Sequence, residues 1–452
     1  AAVDHLYSKV VKKIQGRTSP RETEQNIFKD PNFPKNRNDQ DSTDAVQGEF
    51  KLNKSFIEKL HCSTFDPDAY GCSPIKASIP RCVDRHDSFL GGKASYLKND
   101  DNAEVVYEKF SLKPHHVLRI NRYDSVPMPV DPLDVVIKVE ASTVSRLDTT
   151  IRSGCWHETP ELPATPGFDC IGIITKCGTQ VHDYGFKEGD RVVSIIKWGG
   201  NSRYLTLNAL QVIKVPIGVD PAEGACIITT YMTAYQCLHR VRNKKHAKDS
   251  LENSRILVVG GNGAVGQALI QLALKAGAET VFATASEKHH DLLKYLGAYA
   301  LGRETNQWLP KVKGKMDIVI DLVCADGYYS SYVALKKTGQ LICTGAAGHP
   351  KGGFSSNWWS NVGKSANFMN KAISYDIIES LLSAPLEFRH DLIYLLEQLR
   401  KKKIKPNILA RIPLEEVADA HAKIQSGGLD GSIVCLPWSK KAVYRQPFRR
   451  FA

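Results

Sequence analysis

A chain of 452 residues, 42% hydrophobic and 24% charged, is too long for one ordinary domain and too balanced for a disordered or fibrous protein. No run approaches the roughly 18 apolar residues of a membrane span, which argues against a helical membrane protein. The net charge of +12 leaves two readings open, contact with nucleic acid or anionic lipid, or simply the basic composition of an organelle protein.

Residues 1–113 read as an N-terminal extension. DHLYSKVVKKIQ sets Leu6, Val10, Val11 and Ile14 on one face of a short amphipathic helix. KDPNFPKNRNDQDSTD (29–44) follows, polar and without period, and cannot bury enough apolar surface to offset its ordering entropy alone. A protein partner, or the globular body itself, is expected to order this extension. Cys62, Cys72 and Cys82 are spaced C-x9-C-x9-C, but Pro67, Gly71, Pro74 and Pro80 rule out a helical hairpin. A disulfide or metal role stays open beside plain reduced thiols. Cys226, Cys237, Cys324 and Cys343 sit in apolar segments, as buried thiols in a reducing compartment would. The first residue is Ala1 and no apolar secretory core follows, as expected after removal of a targeting peptide or after trimming.

From about residue 114 the texture changes. DVVIKVEAS (134–142), CIGIITKCG and DRVVSII are short β-branched runs punctuated by Gly and Pro, the pattern of a small barrel. DPAEGACIITTYMTAYQCLHRV (220–241) reads as one helix, with Asp220 as N-cap and Pro221 in the first turn. RILVVGG, ETVFATAS, MDIVIDLV and GQLICTGAA are buried strands, alternating with helices closed by Gly277 and Gly297. Such an α/β pattern predicts a doubly wound parallel sheet. Two amphipathic helices and the strand SIVCLP come near the end. The basic runs 242–248 and 400–405 read as solvated loops or helix ends. A tail, 438–452, carries Lys440, Lys441, Arg445, Arg449 and Arg450 and is the segment suited to contact RNA.

VVGGNGAVG places Gly261, Gly263 and Gly266 in a G-x-G-x-x-G loop between a predicted strand and a helix, where the fingerprint has meaning. Gly261 allows the tight turn, Gly263 admits a pyrophosphate, and Gly266 lets helix meet strand. The helix N-terminus, with Asn262, Ala264 and Val265 beside it, supplies amide donors to phosphates. The second strand ends Thr284, Ala285, Ser286, Glu287, Lys288. A hydroxyl and a cation at that tip suit the 2′-phosphate of NADPH, whereas a carboxylate there would take the ribose of NADH. Glu287 is the counter-argument, and NADPH is the expected cofactor, with NADH second.

Several motifs together resemble the medium-chain dehydrogenase/reductase superfamily, and most closely its zinc-free quinone oxidoreductase branch. They are VEASTVSRLDTTIRSG (139–154), LPATPGFDCIGIITKCG (162–178), GDRV (189–192), YMTAYQCL (231–238), the glycine loop, and IPLEEVADAHAKIQSGGLDGSIV (412–434). The resemblance implies a GroES-like catalytic domain at 114–225 and 376–437 and a Rossmann dinucleotide-binding domain at 226–375. It also implies no zinc. Ser145 stands where zinc-dependent relatives carry a cysteine ligand, and Phe168-Asp169 where they carry His-Glu. By resemblance Ser145 lies near the nicotinamide, and Thr230 and Thr233 border it. Trp156 falls where enoyl reductases carry a tyrosine, and an indole cannot act as a proton donor. The expected activity is hydride transfer from NADPH to a quinone or enone. The alternative is a repurposed subunit of a larger mitochondrial assembly, respiratory or ribosomal. Basic charge and the resemblance together imply the mitochondrial matrix.

Overall fold

The computed structural model describes residues 102–156, 158–239, 251–345 and 371–445. The helix expected at Leu6–Ile14, the polar stretch 29–44, Cys62, Cys72, Cys82, the basic run 242–248, Arg449 and Arg450 lie outside them.

The folded body begins ahead of the expected 113/114 boundary. Strands β1 (Asn102–Val106) and β2 (Arg119–Tyr123) pair antiparallel. Alternate residues Ala103, Val105 and Tyr107 are buried, in one cluster with Val117, Ala410 and Ile433. That apolar face explains why the segment belongs to the body. The Val105 amide donates to Asn201 O at 3.0 Å, and Arg203 N returns a bond to Ala103 O.

The barrel sheet follows as β3 (Asp134–Val144), β4 (Asp169–Cys177), β5 (Arg191–Ile195), β6 (Tyr204–Asn208) and β7 (Ile213–Lys214), all paired antiparallel. Val135, Ile137 and Val139 alternate inward onto Ile174, Val192 and Leu205, the period-two signal read from DVVIKVEAS.

The segment 220–241 departs from a single helix. Asp220 caps Pro221–Cys226 as expected, but Ile227–Tyr231 is a π-helical turn before the helix resumes at Met232–His239. Four β-branched residues in succession, Ile227 to Thr230, crowd an α-helical turn. Cys226, Cys237, Cys324 and Cys343 are buried, and none is in a disulfide among the described residues.

The second sheet contains β8 (Arg255–Val259), β9 (Thr280–Thr284), β10 (Tyr299–Leu301), β11 (Met316–Asp321), β12 (Leu335–Cys343) and β13 (Ala372–Ser374). Every pairing is parallel, and the order is β10-β9-β8-β11-β12-β13. This is the doubly wound order with its reversal between β8 and β11, where the carboxyl ends of strands open a crevice. The glycine loop leaves β8 at that point.

The chain then returns to the barrel. After the helix Pro385–Arg400 come β14 (Ile408–Ile412), β15 (Ser432–Cys435) and β16 (Val443–Tyr444). β15 runs antiparallel to β3, with Ile433 opposite Val144. Among the described residues no helix is long and apolar enough to cross a membrane.

Candidate active site

Gly263 caps the helix Ala264–Lys275 and, being glycine, brings no side chain of its own to the amides of the first turn. Three glycines in this loop answer to different constraints. A Cβ on Gly266 would stand 2.4 Å from Gly260 O, and one on Gly261 would stand 2.7 Å from the Ala283 Cβ. Around Gly263 the nearest atom is 3.8 Å away. The first two positions are closed by helix and strand, and the third is open. Gln267 Nε2 donates to Asn262 O at 2.7 Å and stiffens the turn.

The structure ties the tip of the second strand to this loop. Gly260 N donates to Thr284 Oγ1 at 3.0 Å, and Gly261 N to Thr284 O at 2.9 Å. Ser286 is half-buried and precedes the turn Glu287–His289, while Glu287 and Lys288 are exposed. The Lys288 ammonium lies 3.3 Å from where a Cβ on Gly428 would sit. Leu429, the next residue, accepts Asn262 Nδ2 at 2.9 Å. The segment Gly427–Asp430 therefore touches both halves of the expected cofactor site, which sequence spacing did not reveal. Arg445 belongs to the same edge. Its guanidinium bonds Asp430 Oδ2 at 2.7 Å and Asn407, so it is an anchored ion pair rather than a free charge of the basic tail.

Across the barrel edge stand two buried carboxylates. Ser145 follows β3 and caps the helix Arg146–Arg152 in a reciprocal box with Asp148. Asp148 Oδ2 accepts Ser145 N at 2.6 Å and Ser145 Oγ at 2.7 Å, and its Oδ1 accepts Gly167 N at 3.2 Å. Asp169 accepts Thr143 N at 2.7 Å, Thr143 Oγ1 at 2.6 Å and Thr229 Oγ1 at 2.8 Å. Burial pushes Asp148 up to about 7, against the opposing pull of the Ser145 bonds, with Asp169 adding to the rise. Burial likewise raises Asp169, against its bonds from Thr143 and Thr229. Neither carboxylate is in an ion pair among the described residues.

Sequence reasoning named Ser145 but passed over Asp148, Asp169 and Thr229. The S-x-x-D spacing of a capping box was the available signal for Asp148. Thr230 is buried in the π-helical turn, and Thr233 is hydrogen-bonded to the Tyr375 phenol. Trp156 is half-buried and packs against the main core rather than lying free. Among the described residues no group of three His, Cys, Asp or Glu side chains is placed to hold a metal ion.

Known proteins share this fold. The family described as Alcohol dehydrogenase GroES-like domain matches residues 131–243, and the family described as Zinc-binding dehydrogenase matches 296–435. The mouse synaptic vesicle membrane protein VAT-1 homolog-like is 29% identical, over 70% of this chain and 77% of its own length. The crystal structure of the human VAT-1 homolog-like protein superposes with a TM-score of 0.60 at 26% identity, covering 77% of this chain and 99% of its own. A mycobacterial protein solved in complex with NADPH has the same fold, with a TM-score of 0.61 at 24% identity, covering 74% of this chain and all 100% of its own. Human quinone oxidoreductase is 30% identical, over 72% of this chain and 96% of its own length. With both domains matched in order and that relative covered almost end to end, the chain belongs to the medium-chain dehydrogenase/reductase superfamily, in its quinone oxidoreductase branch.

Proposed function

We propose that the chain is a zinc-independent, NADPH-dependent reductase of a quinone or an α,β-unsaturated carbonyl, acting in the mitochondrial matrix. The observation that carries this reading is the open N-terminus at Gly263, with Lys288 on the neighbouring Gly428 segment. Phosphates of a dinucleotide fit a helix end whose amides have no side-chain cap, and the Lys288 ammonium fits a 2′-phosphate. Asn262, Ala264 and Val265 complete the first turn, and Thr230 and Thr233 are the residues proposed to border the ring. Bound there, NADPH supplies hydride. The chain's own part is to hold it in register with the substrate and to limit water.

Zinc does not fit the residues at the position zinc-dependent relatives use. Ser145 offers a neutral hydroxyl rather than a thiolate, and Phe168 is a buried hydrocarbon, 1% exposed.

The test is a calorimetric titration of the purified chain with NADPH and with NADH, followed by NADPH consumption on a quinone and on an enone. Tight NADPH binding with turnover is the expected result. Binding without turnover favours a nucleotide-stabilised subunit of a larger mitochondrial assembly. No binding overturns the reading and leaves the loop glycines with a packing role alone.

A further inference from the structure

We propose that Ser145 delivers the proton in this reduction and that Asp148, sealed behind it, resupplies Ser145; the proposal rests on the reductase reading above. A conjugated carbonyl needs a proton as well as a hydride, and Trp156 holds the position where a tyrosine would otherwise serve. Indole does not release its N–H proton at working pH. Ser145, which by resemblance lies near the nicotinamide, is a hydroxyl with a carboxyl behind it.

Several observations separate this pair from an ordinary capping box. The acidic partner in such a box normally lies on the helix surface, where water stabilises its charge. Asp148 is only 2% exposed, while Ser145 in front of it is half-buried. The Oγ to Oδ2 distance of 2.7 Å is that of a hydrogen bond able to pass a proton. A second pair stands alongside, Thr229 on Asp169, and Thr229 comes from the π-helical turn, a distortion that recurs at functional sites.

The charged and titratable neighbours of Asp148 are Asp169 from β4, Tyr107 following β1, and beyond Tyr107 the Arg152–His421 pair. Arg152 spends its Nε on His421 Nδ1 at 3.2 Å and another nitrogen on Ser111 O, so it does not pair with Asp148. Burial and the Asp169 charge therefore keep a proton on Asp148 up to about pH 7.

The step balances as follows. A substrate that has taken hydride from bound NADPH is left as an enolate or hydroquinone anion. The Ser145 O–H bond breaks as that anion takes its proton, and the Asp148 carboxyl O–H breaks to restore Ser145. Once product leaves, Asp148 regains a proton from water through Ser145.

The experiment measures kcat against pH, in H2O and in D2O, for the full chain with NADPH and an alkyl vinyl ketone. It compares the unaltered chain with Ser145→Ala, Ser145→Thr and Asp148→Asn. We expect kcat of the unaltered chain to fall as pH rises through about 7. Ser145→Ala and Asp148→Asn should each lower kcat about a hundredfold with little change in KM, and abolish that pH break and the solvent isotope effect. Ser145→Thr, which keeps a hydroxyl, should restore both. Independently of turnover, the infrared carboxyl band of a protonated acid that titrates near pH 7 should vanish in Asp148→Asn. Unchanged pH and isotope behaviour in both deletions overturns the relay, as does a loss confined to thermal stability, which capping alone would give. If Asp148→Asn does not fold, Ser145→Ala carries the test. An unaltered chain that oxidises no NADPH overturns the reductase reading and the relay together.

Discussion

Burial moves His421 and Asp148 in opposite directions. His421 is fully buried beside the Arg152 guanidinium, and its imidazole is pushed down to about 3, by burial first and the Arg152 charge second. A histidine kept neutral in the fold contributes stability that is present above about pH 6.5 and is lost as pH falls toward 3. Asp148, raised to about 7, does the reverse. Its contribution is complete below about pH 4 and is lost as pH rises through 7. Each swing is on the order of 4 to 5 kcal/mol, and the two largely offset one another between pH 4 and 6.5. Relative to the unaltered chain, urea titrations between pH 4 and 6.5 should therefore change slope in opposite directions in the two variants. Asp148→Asn should become acid-sensitive, and His421→Gln should weaken toward pH 7. A second prediction concerns Lys288. Lys288→Ala should weaken NADPH binding about tenfold while leaving NADH unchanged, as calorimetry would show. The strand, glycine turn and helix around Gly261, Gly263 and Gly266 were legible because they form one local unit. Asp148, Asp169 and Thr229 were not legible, because their burial and pairing come from β3, β4 and a helix turn far apart in the chain.

At the level of elements, the glycine loop separates folding from binding. Gly266→Ala drives a methyl group into the Gly260 carbonyl and should cost about 3 kcal/mol in denaturant unfolding. Gly263 already has φ −69 and open space around it, so Gly263→Ala should fold within about 0.5 kcal/mol of the parent. The added methyl group faces the expected phosphates, and NADPH affinity should fall about tenfold. Equal losses in both variants would mean that the loop serves packing alone. Long periodic elements such as β8, β9 and Ala264–Lys275 could be read from pattern. Short strands such as β7 and β16 could not, since two residues hold no period and their pairing is set by the sheet they join. The π-helical turn was hidden for a related reason. Apolar spacing in 220–241 suits a helix throughout, and the local widening comes with the Thr229 bond to Asp169.

For the molecule as a whole, the return of the chain to the barrel is secured by Trp438. Its indole Nε1 donates to Val139 O at 2.8 Å, and Lys138 and Arg203 lie 4.2 and 4.8 Å from the ring centroid. Trp438→Ala should lower stability by about 2 kcal/mol in thermal or urea unfolding, with most of the loss from packing and the remainder from the cations over the ring. The division into a barrel and an inserted dinucleotide domain came from a set of motifs read jointly, and no single one carried it. The antiparallel pairing of Ile433 with Val144 also bears on synthesis. On the ribosome β3 emerges early, yet the end of that strand, which leads into Ser145, has no strand partner until β15 has been translated. The dinucleotide domain is complete long before then. A nascent chain therefore holds a finished parallel sheet beside an unfinished barrel edge, and a chain ending ahead of Ser432 lacks the strand that pairs with the end of β3.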